Sequence, residues 1–243
     1  MAIEDQTNRA HPGQVTTVAS PPLVLSELGP IGQLRAGRLF RRLVQLYAGL
    51  ILYGFSIALM VRSHLGLAPW DVLHSGLTKH VPIDIGQALV IVSFVVMLAW
   101  IPLREIPGLG TISNAILIGL STDVFLSVLP TLHDVPLRIA LLTAGVALQG
   151  LATAAYIGAQ LGRGPRDGLM TGLARRTGRS LRLVRTAMEL TVVALGLLLG
   201  GVAGLGTILY ALTIGPLSQA LLPRLIVRPR SGRDVSKTAN RGT

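Results

Sequence analysis

Asp71 and Asp167 each stand two residues after a proline, in Pro69-Trp70-Asp71 and Pro165-Arg166-Asp167. A proline suits the first position of a helix, where no backbone donor is needed. The aspartate then falls in the first turn, where the dipole and the free N–H groups favour a negative charge. Two readings follow. The carboxylate is a helix-start residue and nothing more, or a helix broken at membrane depth offers free N–H groups and a carboxylate to a cavity. Carriers built from inverted repeats bind substrate and coupling ions at such discontinuities. On the second reading Pro69, Trp70, Asp71 and His74 face Pro165, Arg166 and Asp167 across a solute site, and either aspartate can exchange a proton.

Other polar groups compete for that role. Asp123 and Glu189 lie inside apolar stretches, where an ionisable side chain is costly and marks a functional candidate, here for a coupling ion. Glu189 also stands four residues after Arg185 and can pair with it along a helix. Asn114 and Tyr210 each follow a Gly-x-Gly-Thr bend and are candidate solute contacts; close helix packing is the alternative role of those glycines. Arg163 and Arg166 favour an anion if they face a cavity, and are retention charges if they face cytosol or headgroups. His64, Asp71, His74 and His80 lack the ligand density of a metal motif, so no metal is expected. A nucleophile elbow, a phosphate loop and a dinucleotide fingerprint are all absent, so neither an enzyme nor a cofactor is expected.

The elements that position these residues are apolar. Half of the 243 residues are hydrophobic, only 14% are charged, and cysteine is absent. A typical soluble domain has about 25% charged residues, so this chain is too poor in charge to cover a surface in water. Six long stretches stand out: 43–61, 85–103, 106–132, 139–161, 184–202 and 204–222. Roughly 20 apolar residues cross a hydrocarbon core as a helix, so six spans are expected. Two helical segments, Pro69–His80 and Pro165–Arg176, are too short to cross, and each follows a glycine-containing bend. They are expected as re-entrant or interfacial half-helices.

The chain also repeats itself at a separation of 96 residues. Leu65–Leu77 falls on Leu161–Leu173 with seven of thirteen positions identical, and Gly108–Gly119 falls on Gly204–Gly215 with eight of twelve. Ala48, Gly49, Leu52, Gly54 and Ala58 recur in the same register as Ala144, Gly145, Leu148, Gly150 and Ala154. Each copy then holds three spans and one half-helix. Three is odd, so the copies are expected head-up and head-down. Charge agrees: the loop at 163–185 has seven arginines against Asp167 alone, whereas 62–84 is balanced. A rival arrangement counts the half-helices as spans and gives four plus four parallel helices.

The expected organisation is a polar, basic, disordered cytoplasmic tail at 1–42, a first membrane repeat at 43–132, a second at 137–227, and a basic cytoplasmic tail at 228–243. The net charge of +11 is concentrated in arginine-rich loops and tails. Beside long apolar runs it points to retention at the inner face of a cell membrane, not to nucleic acid.

The paired blocks Gly66-Leu67-Ala68-Pro69-Trp70-Asp71-Val72-Leu73 and Gly162-Arg163-Gly164-Pro165-Arg166-Asp167-Gly168-Leu169, each followed by Gly-Leu-Gly-Thr-Ile, resemble the YitT/YczE family of bacterial integral membrane proteins. The resemblance covers roughly residues 40–225. It implies location and architecture and points to transport, and it supplies no catalytic residues. The expectation is therefore an all-α polytopic membrane protein of six transmembrane helices in two inverted three-helix repeats. It would be a small-solute transporter or exporter in the bacterial inner membrane, with both termini cytoplasmic. Its partners would be the lipid bilayer, an unidentified small solute and a second copy of the chain in a homodimer. The alternative is a non-transporting membrane partner that acts through helix packing.

Overall fold

A computed structural model describes residues 28–228, and they are all-helical. In chain order the helices are α1 (Pro30–Arg35), α2 (Leu39–Ser63), α3 (Pro69–Leu77), α4 (Ile85–Leu98) and α5 (Trp100–Leu103). There follow α6 (Leu109–Val128), α7 (Val135–Gly158), α8 (Pro165–Thr177), α9 (Leu181–Leu198) and α10 (Leu205–Leu225). Residues 1–27 and 229–243, most of the two expected tails, lie outside the described residues. Residues 28–42 depart from the expected disorder. They hold α1 and the first turn of α2, and Arg42 is fully buried, not solvated.

Among the described residues five helices are long and apolar enough to cross a membrane: Leu39–Ser63, Ile85–Leu103, Leu109–Val128, Val135–Gly158 and Leu205–Leu225. The sixth expected span corresponds to α9, which is shorter at 18 residues and carries Arg182, Arg185 and Glu189. Its three charges fall within 18 residues, whereas α2, with Arg41, Arg42 and Arg62, keeps an uncharged run at 43–61 between them. The crossing at 85–103 is interrupted where α4 meets α5. Pro102 has no N–H for the Leu98 carbonyl, and its ring crowds that oxygen, so the regular ladder stops at Ala99. Val95, Leu98, Val124, Leu190 and Leu212 point outward and are more than half exposed. An apolar belt of this kind belongs against lipid.

At the centre α2 lies against α7, with α6 beside α2 and α10 beside α7. Leu46, Leu50, Tyr53, Ile57, Ala152 and Tyr156 form one buried cluster at this contact; Met60, Leu67, Val72, Leu142 and Ile214 form another. The short helices cross over: α3 packs on α9, and α8 packs on α4, α5 and α9.

Helix starts at residues 39, 69, 85 and 109 have counterparts at 135, 165, 181 and 205, each 96 later. The contacts between the two sets are exchanged in the same register. Arg42 donates to the carbonyls of Ala159 (2.8 Å) and Gln160 (2.6 Å), just past the end of α7. Arg138 donates to those of Ser63 (2.7 Å) and His64 (3.0 Å), at the end of α2. Each guanidinium thus satisfies carbonyls that a helix end leaves without partners, and its charge suits the negative end of the dipole.

A second exchange joins the two most strongly repeated blocks. The Gly110 N–H bonds the Leu161 carbonyl (2.7 Å), and the Gly206 N–H bonds the Leu65 carbonyl (2.8 Å). The bend before each short helix is therefore hooked onto the first turn of a long helix from the other set. Gly66 (φ 118°) and Gly162 (φ 131°) make those bends in a region closed to other residues. Within each hook the Thr111 and Thr207 hydroxyls accept from the Gly108 and Gly204 N–H groups (3.0 and 3.1 Å).

Candidate functional site

The second short helix, α8, opens on a cavity. Gly164 has extended backbone and Pro165 takes the first helical position, so Arg166 and Asp167 lie in the first turn as expected. Trp100, almost fully buried on α5, donates its indole N–H to the Pro165 carbonyl (2.9 Å) and pins this turn. The Tyr156 hydroxyl, from α7, donates to the Asp167 carboxylate. The Arg166 guanidinium donates to the Tyr53 hydroxyl and lies over the Tyr53 ring, 5.4 Å from its centre.

Beside this turn lies a cavity of about 750 Å³ lined by residues that include Trp70, Trp100, Tyr156, Arg166, Asp167 and Tyr210. That is the size of a small-molecule site. Its rim and wall carry further charges. Glu105 pairs with Arg175 (3.0 Å) and lies 4.0 Å from Arg163. Glu189 pairs with Arg185 (2.8 Å), the along-helix partner the sequence offered it, and both line the cavity.

The first short helix, α3, is closed by comparison. Pro69 is buried at its start, and Asp71 and His74 are 3% and 5% exposed. The His74 Nδ1 lies 3.0 Å from the Asp71 carboxylate. The neighbouring cavity has only about 40 Å³, room for about one or two waters. Tyr53, Asn114 and Pro165 line it with Asp71 and His74.

The two aspartates therefore do not meet across one space, as a single site between the repeats requires. Asp167 lines the large cavity and Asp71 the small one, while Trp70 and Arg166 border both. The 96-residue counterparts separate in the same way, Tyr210 to the large cavity and Asn114 to the small. Asp123 borders neither of these two cavities. Its carboxylate accepts the Gly86 N–H at the start of α4 (2.7 Å), where an acid satisfies a free helix donor. The histidines are dispersed too: His64 ends α2, and the His80 Nε2 lies 3.2 Å from the Leu199 carbonyl. Among the described residues no three His, Cys, Asp or Glu side chains group as metal ligands.

Residues that the sequence did not flag complete the picture. Tyr156 holds Asp167, and its counterpart 96 residues earlier is Met60, so nothing in the repeat announced it. Trp100 and Tyr53 reach α8 from α5 and α2. Arg42, expected in a solvated tail, and Arg138 were not flagged either, although they stand 96 apart and a short extension of the repeat register pairs them.

With five membrane-length apolar helices and apolar side chains turned outward, this is an all-helical multi-pass membrane protein. A family model described as "Family of unknown function (DUF6198)" matches residues 40–223, and the chain belongs to that family. It is 36% identical over 182 residues to the "Uncharacterized membrane protein YczE" of Bacillus subtilis, covering 74% of this chain and 85% of the relative. An "Uncharacterized protein" of Haemophilus influenzae is 41% identical over 173 residues, 71% of this chain and 79% of that one. The "Uncharacterized protein YyaS" of Bacillus subtilis is 26% identical over 179 residues, 72% and 89% of the two chains. No solved structure matches the chain. The relation to YczE bears out the resemblance carried by the paired blocks.

Proposed function

We propose that this protein carries a small solute across a bacterial cell membrane, using two inverted repeats whose broken helices flank the solute path. The observation that carries the reading is the solute-sized cavity at the start of α8, beside a closed counterpart at the start of α3. Helix starts 96 residues apart and the exchanged arginine and glycine bonds support a two-fold relation between the halves. With α9 counted as a crossing, each half has three long helices, and an odd number inverts the second copy. At nine and thirteen residues, α3 and α8 reach about 14 and about 20 Å, short of a roughly 30 Å core, which supports a re-entrant course.

The arginine-rich 163–185 segment borders the large cavity and belongs on the cytoplasmic side with both termini. The open cavity then faces the cytoplasm. In the second state of the cycle the halves exchange roles, and the space beside Asp71 opens outward. Asp167 and the Asp71–His74 pair are the groups able to take up a proton in turn.

The test is solute flux into proteoliposomes, with solutes chosen by thermal stabilisation of the purified protein. Asp71→Asn with Asp167→Asn together should abolish flux while the protein stays folded. Unchanged flux in that double variant removes the proposed path. Reporter fusions at residues 80 and 177 should lie on opposite sides of the membrane, and finding both on one side removes the inverted arrangement.

A further inference from the structure

We propose that the cavity beside α8 binds an organic anion with a planar, apolar body, and that Arg166 is the group that receives its charge. This rests on the solute-site reading above and adds the class of solute.

The charges lining the cavity are five arginines against three acids: Arg104, Arg163, Arg166, Arg175 and Arg185 against Glu105, Asp167 and Glu189. The acids are already engaged. Glu189 is held by Arg185, Glu105 by Arg175, and Asp167 by the Tyr156 hydroxyl. Two of the three acids are thus neutralised by arginines, and the lining as a whole stays positive. Among the described residues Arg104 and Arg166 have no carboxylate within ion-pair distance. Arg104 is exposed, and water serves it. Arg166 is half-buried, and its partner in the structure is the neutral Tyr53. A guanidinium taken partly out of water without a counter-charge is costly, and a carboxylate or phosphate relieves that cost through paired, charge-assisted hydrogen bonds.

The walls specify the rest of the solute. Trp70, Trp100, Tyr156 and Tyr210 line the same cavity as Arg166. Aromatic rings favour a flat partner stacked or edge-on, and Arg166 supplies the polar end. A carboxylate on a ring or conjugated chain fits both features, whereas an inorganic anion would use only the guanidinium.

The chain carries two tryptophans, and both line this cavity, so intrinsic fluorescence reports binding there. Purified full-length protein is titrated with benzoate, benzyl alcohol and benzylammonium at constant ionic strength. Benzoate should shift the emission saturably and bind about tenfold more tightly than benzylammonium, with the alcohol between them. Arg166→Gln should weaken benzoate about tenfold and level the three probes, and Arg166→Lys should restore part of the preference. Arg179→Gln removes the same charge from the same loop outside the cavity lining, and should change neither. An equal response to all three probes, a preference for benzylammonium, or no response to benzoate overturns the proposal in the wild-type protein, whatever the folding of the variants. An equal loss in Arg179→Gln overturns it as well, because the effect is then general surface charge. Benzoate preference without flux of any solute would leave the anion site standing and remove the carrier. Flux without anion preference would do the reverse.

Discussion

Asp71 and Asp167 occupy the same turn of two short helices, two residues after a proline and 96 residues apart, yet one looks into a space for a water or two and the other into a solute-sized cavity. The frames around them are alike. Each bend is hooked by a backbone bond from the other half, and each helix end before the bend is held by an arginine. The linings are not alike. Where Tyr156 holds Asp167, Met60 stands in the first half, and Asp71 turns to His74 on its own helix. Where Tyr210 borders the large cavity, the shorter Asn114 borders the small one. Arg166 takes the place that Trp70 has in the first copy, and the two together separate the cavities. Such a pair teaches that matching frames can hold different chemistry, because the hooks and the arginine-held helix ends all bond to backbone carbonyls, whereas the linings are made of side chains.

If frame and lining are separable, their variants should behave differently. The largest effect is expected at Arg42, which is fully buried and holds three carbonyls, those of Gln33, Ala159 and Gln160. Arg42→Met should cost about 3 kcal/mol in thermal unfolding of the detergent-solubilised protein, and Arg138→Met, at a half-buried position, about 1 kcal/mol. Equal losses would mean that the two clasps contribute alike and that their burial does not matter. Next comes Tyr156→Phe, which deprives Asp167 of its donor and should destabilise by about 2 kcal/mol. Met60→Leu at the matching position keeps volume and polarity and should cost less than about 1.5 kcal/mol. If the tyrosine variant is as stable as wild type, the Asp167 side is no more tightly organised than the Asp71 side.

Gly206→Ala sets a methyl against the Gly66 carbonyl and the Leu142 side chain, and should lower stability by about 1–2 kcal/mol. Gly110→Ala meets the Leu161 carbonyl 3.0 Å away, a looser approach, and should cost less, about 1 kcal/mol. A larger melting shift at Gly110 than at Gly206 would mean that the close approach in the hooks does not set their stability. Smallest is Asp123→Asn, which keeps an acceptor for the Gly86 N–H. It should change stability by about 1 kcal/mol or less and leave flux untouched. A large loss of flux there would return Asp123 to the coupling path that its position outside both cavities argues against.

Much of the frame could be read in advance. Long runs such as Leu43–Val61 and Ile85–Leu103 mark crossings by length and polarity alone, and the structure places helices over both. Pro69 and Pro165 start helices as expected, since proline fixes its own backbone angle and needs no donor. The stretch at 184–202 falls short of the other five: Arg185 and Glu189, both visible in the sequence, are joined by Arg182 because the helix starts at Leu181. The Gly-Leu-Gly-Thr blocks offered two roles, a bend before a polar contact or close helix packing, and they are hooks for the opposite bend, a close approach whose partner appears only once two distant segments touch.

Apolar length, the 96-residue duplication and the helix starts are properties of neighbouring residues, because a helix is built from bonds four residues apart and a proline acts on its own turn. Which aspartate meets a cavity depended on side chains arriving from far along the chain. Tyr53 and Trp100 reach α8 from positions 113 and 65 residues away, and the volume left between them follows from how all of these pack at once. Two motifs alike at seven of thirteen positions were therefore given different surroundings largely by long-range packing, and the motifs themselves carried only the exchanges of Trp70 for Arg166 and His74 for Met170.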